Sequence, residues 1–118
     1  MKVSITIPYS SNLSKNVMWK HIRGGGVYLN PATKSEIEAI SWELKSRGGV
    51  WRKDKLYVHV MVYRPDMRLD PVNVLDAIID GIKVATGIDD RYYSGSWDWE
   101  LVAKGEERIK ITIIDEEE

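Results

Sequence analysis

Cysteine is absent from the 118-residue chain, which excludes disulfides and thiolate metal sites and favours an intracellular setting. Histidine is nearly absent: His21 and His59 are the only two, and they lack ligand spacing with each other. Carboxylates and amide oxygens are left as the main candidate ligands for a metal. No apolar run approaches membrane-spanning length. Met1 to Pro8 alternates apolar and polar residues and lacks the continuous apolar core of a signal peptide. The expectation is a cytoplasmic protein with no membrane partner.

Acidic residues are missing from the first 35 positions, and Glu36 is the earliest. Residues 1–68 carry twelve Lys or Arg against five acids, whereas residues 69–118 carry five against thirteen. The net charge of −1 therefore conceals a basic half and an acidic half. A basic surface holds phosphates while carboxylates recruit a metal, so this division suits a nuclease. Solvation of the surface is the plain alternative. The length allows one core of ordinary size, so residues 1–118 are read as a single domain. The acidic run at 115–118 is expected to be a disordered tail.

Val3, Ile5 and Ile7 alternate with polar residues up to Pro8, as in a strand. Tyr9 to Arg23 is polar and basic and closes on Gly24-Gly25-Gly26, a pattern fitting either a mobile binding loop or two short irregular strands. A helix follows, starting at Asn30-Pro31 or at the capping box Thr33-x-x-Glu36, burying Ile37, Ile40 and Leu44 and ending at Gly48-Gly49. Trp42 lies off that stripe. Leu56 to Tyr63 alternates strictly with both faces largely apolar, which predicts a central strand covered by a helix on one side and by loops or a partner on the other. A second helix runs from about Pro71 to Thr86, capped by Asp70 and stopped at Gly87. Strands around Trp97–Leu101 and Ile109–Ile113 complete an α+β domain, a mixed β-sheet with two main helices packed on it.

The second helix carries the chemistry. Leu75, Ile78, Ile79 and Ile82 form its buried stripe, and Asn73, Asp76 and Asp80 project together from another side. Asp76 and Asp80 are a like-charge pair at i,i+4, which costs an isolated helix a few tenths of a kcal/mol, roughly. A cation, Lys83 or an arginine would relieve it. Ala77, Gly81 and Ala85 form a small-residue side, and an interior glycine implies close packing against the sheet or a second subunit. Asp70 before Pro71 reads as an N-cap, and Asp89-Asp90 as an acidic turn. Both gain interest only if the fold draws their carboxylates together, since a hard divalent cation needs converging oxygens. The candidate phosphate contacts are Lys15, Lys20, Arg23, Arg64, Arg68 and Arg91. Trp19, Tyr92 and Tyr93 are candidates for base stacking, or for packing.

Asp70, Asn73 and Asp80 followed by Asp89-Asp90 resemble the pattern of the RusA family of Holliday junction resolvases, in which a helix opens with D-x-D-N and is followed by a D-D pair. Ile5-Thr6-Ile7-Pro8 with Ser11 and Asn12 is similar to that family's first strand and turn, and the order of elements agrees over nearly the whole chain. The resemblance implies a RusA-like fold and a homodimer that binds branched DNA and, with Mg²⁺ or Mn²⁺, cuts four-way junctions in recombination and repair. It implies catalytic, metal-binding roles for Asp70 and Asp90 and a supporting role for Asn73. The family's second aspartate falls on Val72 and its lysine on Asp76. Asp76 or Asp89 is then the candidate for the missing carboxylate, with Asp66 a further possibility; Lys83, Arg68 or Arg91 would supply the missing positive charge, and Asp80 supports. The alternative is a catalytically impaired RusA-like module that binds junctions without cutting. More distant is a structural dimer whose aspartates only cap and solvate.

Overall fold

The computed structural model describes residues 1–52 and 54–115. Its strands are β1 (Lys2–Pro8), β2 (Trp19–His21), β3 (Val27–Leu29), β4 (Leu56–Arg64), β5 (Tyr93–Leu101) and β6 (Arg108–Ile114). Its helices are the single turn α1 (Lys15–Met18), α2 (Pro31–Arg47) and α3 (Leu75–Thr86). The main sheet runs β1-β6-β4-β5, with β1/β6 and β6/β4 antiparallel and β4/β5 parallel. Strands β2 and β3 form a separate hairpin. This is an α+β domain with a mixed sheet and two main helices, as the periodicities predict.

Period-two alternation decides which face of the sheet is covered. Val3 and Ile5 of β1, Ile109, Ile111 and Ile113 of β6, and Leu56, Val58, Val60 and Val62 of β4 are all buried on one side. Ile37, Ile40 and Leu44 of α2 with Ala77, Ile78 and Ile82 of α3 close that core. The opposite side is open within the chain, so loops do not cover β4 there as one of the two expected covers would. Tyr57 is exposed and His59, Met61 and Tyr63 are partly so. Neighbouring strands explain this: the same face of β6 and β5 presents Arg108, Lys110, Thr112, Ser94, Ser96, Asp98 and Glu100. Polar neighbours let an antiparallel face stand in water. There Ser4 and Thr112 hydroxyls lie 3.0 Å apart, and His59 Nδ1 is 2.9 Å from Ser96 Oγ.

Local signals set the helix ends. The Asn30 side chain accepts from Ala32 N at 3.0 Å and donates to Val17 O at 3.0 Å, capping α2 and tying α1 to it. Thr33 is therefore inside the helix, buried and donating to Asn12 O at 2.6 Å. The basic segment after β1 is accordingly a 3-10 turn (Ser11–Leu13), α1 and the short hairpin. Gly24, Gly25 and Gly26 all take positive φ and form the hairpin's bend. The second helix starts later than predicted. Asp70 caps a 3-10 turn (Pro71–Val74), and α3 proper begins at Leu75 and ends on left-handed Gly87, φ 72°.

Gly81 does have a packing reason, but its neighbour is α2, neither the sheet nor a second subunit. A Cβ there would lie 2.8 Å from Ile40 Cγ2 and 3.3 Å from Ile37 O. Asp115 corrects the reading of the acidic tail. It is buried, its Oδ1 lies 2.8 Å from the Met1 ammonium, and its Oδ2 accepts from Arg52 N at 3.0 Å. Glu116 to Glu118 lie outside the described residues. Burial favours the neutral Asp115 carboxyl, yet the ammonium and the Arg52 N–H outweigh it and lower the pKa. No helix among the described residues is long and apolar enough to cross a membrane.

Two outcomes follow for stability. Gly81→Ala gains about 1 kcal/mol of helix propensity but overpacks β-branched Ile40 at a cost of about 1–3 kcal/mol, so chemical denaturation should show a net loss. A depressed carboxyl pKa stabilises the fold above the unfolded value, near 3.9, and that contribution is lost as pH falls through the folded value. Asp115→Asn should melt well below the native chain at pH 6 and converge with it in strong acid.

Candidate functional site

Asp70 and Asp90 are positioned by the β4–α3–β5 unit. Two parallel strands need a crossover that carries the chain back along their length, and α3 supplies it. Asp70 follows the end of β4, whereas Asp90 precedes the start of β5, which is paired with the start of β4. The two aspartates thus belong to opposite ends of a nine-residue parallel pair, a strand length of about 26 Å. One chain does not bring Asp70 and Asp90 to one cation. Among the described residues no group of three His, Asp or Glu side chains is placed to hold a metal ion.

At the Asp70 end, each acid already has a structural task. Asp70 Oδ1 accepts from Val72 N at 3.0 Å, and its carbonyl accepts from Asn73 N at 3.1 Å. Asp66 accepts from the Arg68 backbone at 2.8 Å and pairs with its guanidinium at 2.9 Å, which holds the Asp66 carboxyl below its ordinary pKa. Val72 is exposed and offers no ligand. Turn α1 lies against this 3-10 turn and against α3. Exposed Lys15, Lys20 and Arg23 consequently stand on the segment that flanks Asp70.

Arg64 is not available for a phosphate. It is buried, its Nη1 donates to Leu69 O at 2.9 Å, and its guanidinium lies 3.8 Å from the Trp99 ring centroid. Its Nε is buried with no hydrogen-bond partner, so the indole face carries much of its compensation. Its role is to fix the Leu69 carbonyl one residue before Asp70. The signal was present in the sequence: Arg64 shares the parity of Leu56, Val58, Val60 and Val62, the buried side of β4.

Asp80 stands between the other carboxylates, with Asp76 one turn nearer the Asp70 end and Asp90 beyond the far end of α3. Asp76 is exposed and Asp80 partly buried on α3, with Lys83 one turn on. The Asp80 pKa is raised, first by burial; Lys83 opposes this, and the charges of Asp76 and Asp90 add to it. Asp80 therefore senses both other carboxylates. Asp89 is instead a cap: its Oδ1 accepts from Arg91 N at 3.0 Å and pairs with Arg91 Nε at 3.5 Å. Its carboxyl is held low, first by that backbone bond and then by hydrogen bonding with Asp90. Tyr93 is a packing residue, its hydroxyl donating to Ile88 O at 2.8 Å and its pKa raised chiefly by burial. Tyr92 is exposed with Arg91 over its ring at 5.8 Å, and Trp19 is exposed on the hairpin. Arg68 and Arg91 are exposed.

No protein-family model matches the chain, and no curated protein matches it.

A raised carboxyl pKa means that the ionised form is disfavoured in the fold. The cost is absent below the unfolded value, near 3.9, and complete above the folded value. Asp80→Asn should therefore raise the melting temperature at pH 7, with the gain vanishing in acid.

Proposed function

We propose that this protein is a divalent-cation-dependent endodeoxyribonuclease of RusA type, acting in the cytoplasm as a homodimer on four-way DNA junctions in recombination and repair. The observation that carries this reading is the placement of a partly buried Asp80 on α3 where the carboxylates of both Asp76 and Asp90 act on it, with Lys83 opposing them. A cation held among these carboxylates would relieve the repulsion between them. The donors are all carboxylate oxygens, the chemistry that Mg²⁺ and Mn²⁺ prefer. When bound, the cation would activate water and neutralise charge on the phosphorane.

The separation of Asp70 from Asp90 gives the homodimer a reason. A second copy can set its Asp70 end against the Asp90 end of the first. Asp70, Asp80 and Asp90, with Asp76, then hold the cation, and Asn73 orients the turn that Asp70 caps. Lys15, Lys20 and Arg23 on one side and Arg68 and Arg91 on the others are exposed for phosphate contacts, with salt-dependent binding as the consequence.

A second reading, a junction-binding module without cleavage, draws support from the absence among the described residues of a ready three-ligand group and from Val72. One assay separates them. A labelled four-way junction is incubated with the protein in Mg²⁺ or Mn²⁺, beside Asp70→Asn and Asp90→Asn. The nuclease reading expects paired cuts near the crossover, reduced at least about 100-fold in either variant, the scale of losing one electrostatic contact to the transition state. Salt-sensitive binding with no cutting by any of the three overturns it in favour of the binding module.

A further inference from the structure

Strand β5 has a free edge and an uncovered flank. It pairs with β4 on one side, and no strand lies on its other side among the described residues. Every residue from Ser94 to Leu101 is exposed. On the face where α2 and α3 lie, Trp97, Trp99 and Leu101 remain 44%, 37% and 59% exposed. Beside them an open cavity of about 330 Å³ is lined by Val58, Val60, Leu75, Ile79, Gly95 and Trp97. Unpaired backbone beside exposed indoles is an edge that soluble proteins normally guard.

We propose that β5 pairs antiparallel with β5 of a second copy, about a twofold axis at Trp97, joining two four-stranded sheets into one of eight strands. The strand's own sequence selects this occupant. The register centred on Trp97 overlaps the whole of Tyr93–Leu101 with itself, since 93 and 101 are equidistant from 97. It sets Asp98 opposite Ser96 and Glu100 opposite Ser94 of the other copy, so each carboxylate meets a hydroxyl donor. Trp99 falls opposite Gly95, beside the cavity that the glycine leaves open, and the two Trp97 side chains meet at the axis. Other registers are poorer. Centring on Asp98 places that carboxylate against itself, and centring on Trp99 places Asp98 against Glu100, like charges that oppose pairing. An unrelated acidic strand meets the same repulsion.

This interface rests on the homodimer reading above and specifies its surface, and its test contains neither DNA nor metal. A dimer formed through another surface leaves the cleavage reading standing, and absence of cleavage leaves this interface standing. The full chain should sediment as a dimer at micromolar concentration. Ser96→Asp, which puts carboxylates against Asp98, should raise the dimer dissociation constant about tenfold or more with an unchanged circular dichroism spectrum.

The absence of native cysteine permits a test of register. Ser96→Cys and Asp98→Cys are made as separate chains. Mixed and oxidised, they should form a disulfide-linked heterodimer, because directly opposite residues have Cβ atoms within about 4.5–5.5 Å. Each chain alone should crosslink poorly, since its thiols are diagonal neighbours about 7–8 Å apart. A monomer at all concentrations overturns the proposal. So does a dimer in which the mixed pair links no better than either chain alone.

Discussion

The parallel pairing of β4 with β5 is the constraint on which the rest of the molecule depends. Two antiparallel neighbours would need only a tight turn, whereas two parallel ones need a return path as long as the strands. The 3-10 turn Pro71–Val74 and helix α3 together make that path. Everything chemically suggestive sits on the crossover or at its ends. The position of each aspartate is thereby a consequence of sheet topology rather than of local sequence, and the carboxylates are distributed along a rod instead of collected in a cup.

The core pulls in one direction and the candidate site in another. Helix α3 buries Ala77, Ile78, Gly81 and Ile82 almost completely against α2 and the sheet, which fixes its rotation about its axis. With that rotation fixed, Asp76 and Asp80 cannot turn away from each other, and Asp80 is held partly out of water. The repulsion persists because the packing on the far side of the helix is stronger than the electrostatic penalty on the near side. At the other end, Arg64 is drawn into the core by Trp99 and the Leu69 carbonyl, and a cation that might have met DNA becomes part of the frame that shapes the Asp70 turn.

What could be read from the residues was what neighbouring residues decide among themselves. Asn30-Pro31 and Gly87 mark helix ends because capping is a matter of a few bonds, and the alternation from Leu56 to Tyr63 marks a strand because pleating is local. The open face of β4 was not legible, since it depends on the polarity of Lys110, Asp98 and their neighbours, which sit beside Met61 only once the sheet forms. The partner of Gly81 was equally hidden, because a small-residue stripe announces close approach without saying to what. For the candidate site, Asp70 and Asp90 stand out through their motif neighbours, but whether they meet is set by a strand direction that no short window encodes. Asp115 shows the same limit: an acid in an acidic run looks like solvent-facing tail until the chain's beginning is brought beside it.

Gly95 turns one packing detail into a means of comparison. Its φ of 145° brings the backbone so near Val58 that an added Cβ would clash with the carbonyl oxygen, while Ser94 and Ser96 on either side lie on the open face of the sheet. As long as the backbone keeps this conformation, the position must stay glycine. The glycine then works as a fiducial mark, pinning the register of the edge strand to Val58 of its neighbour.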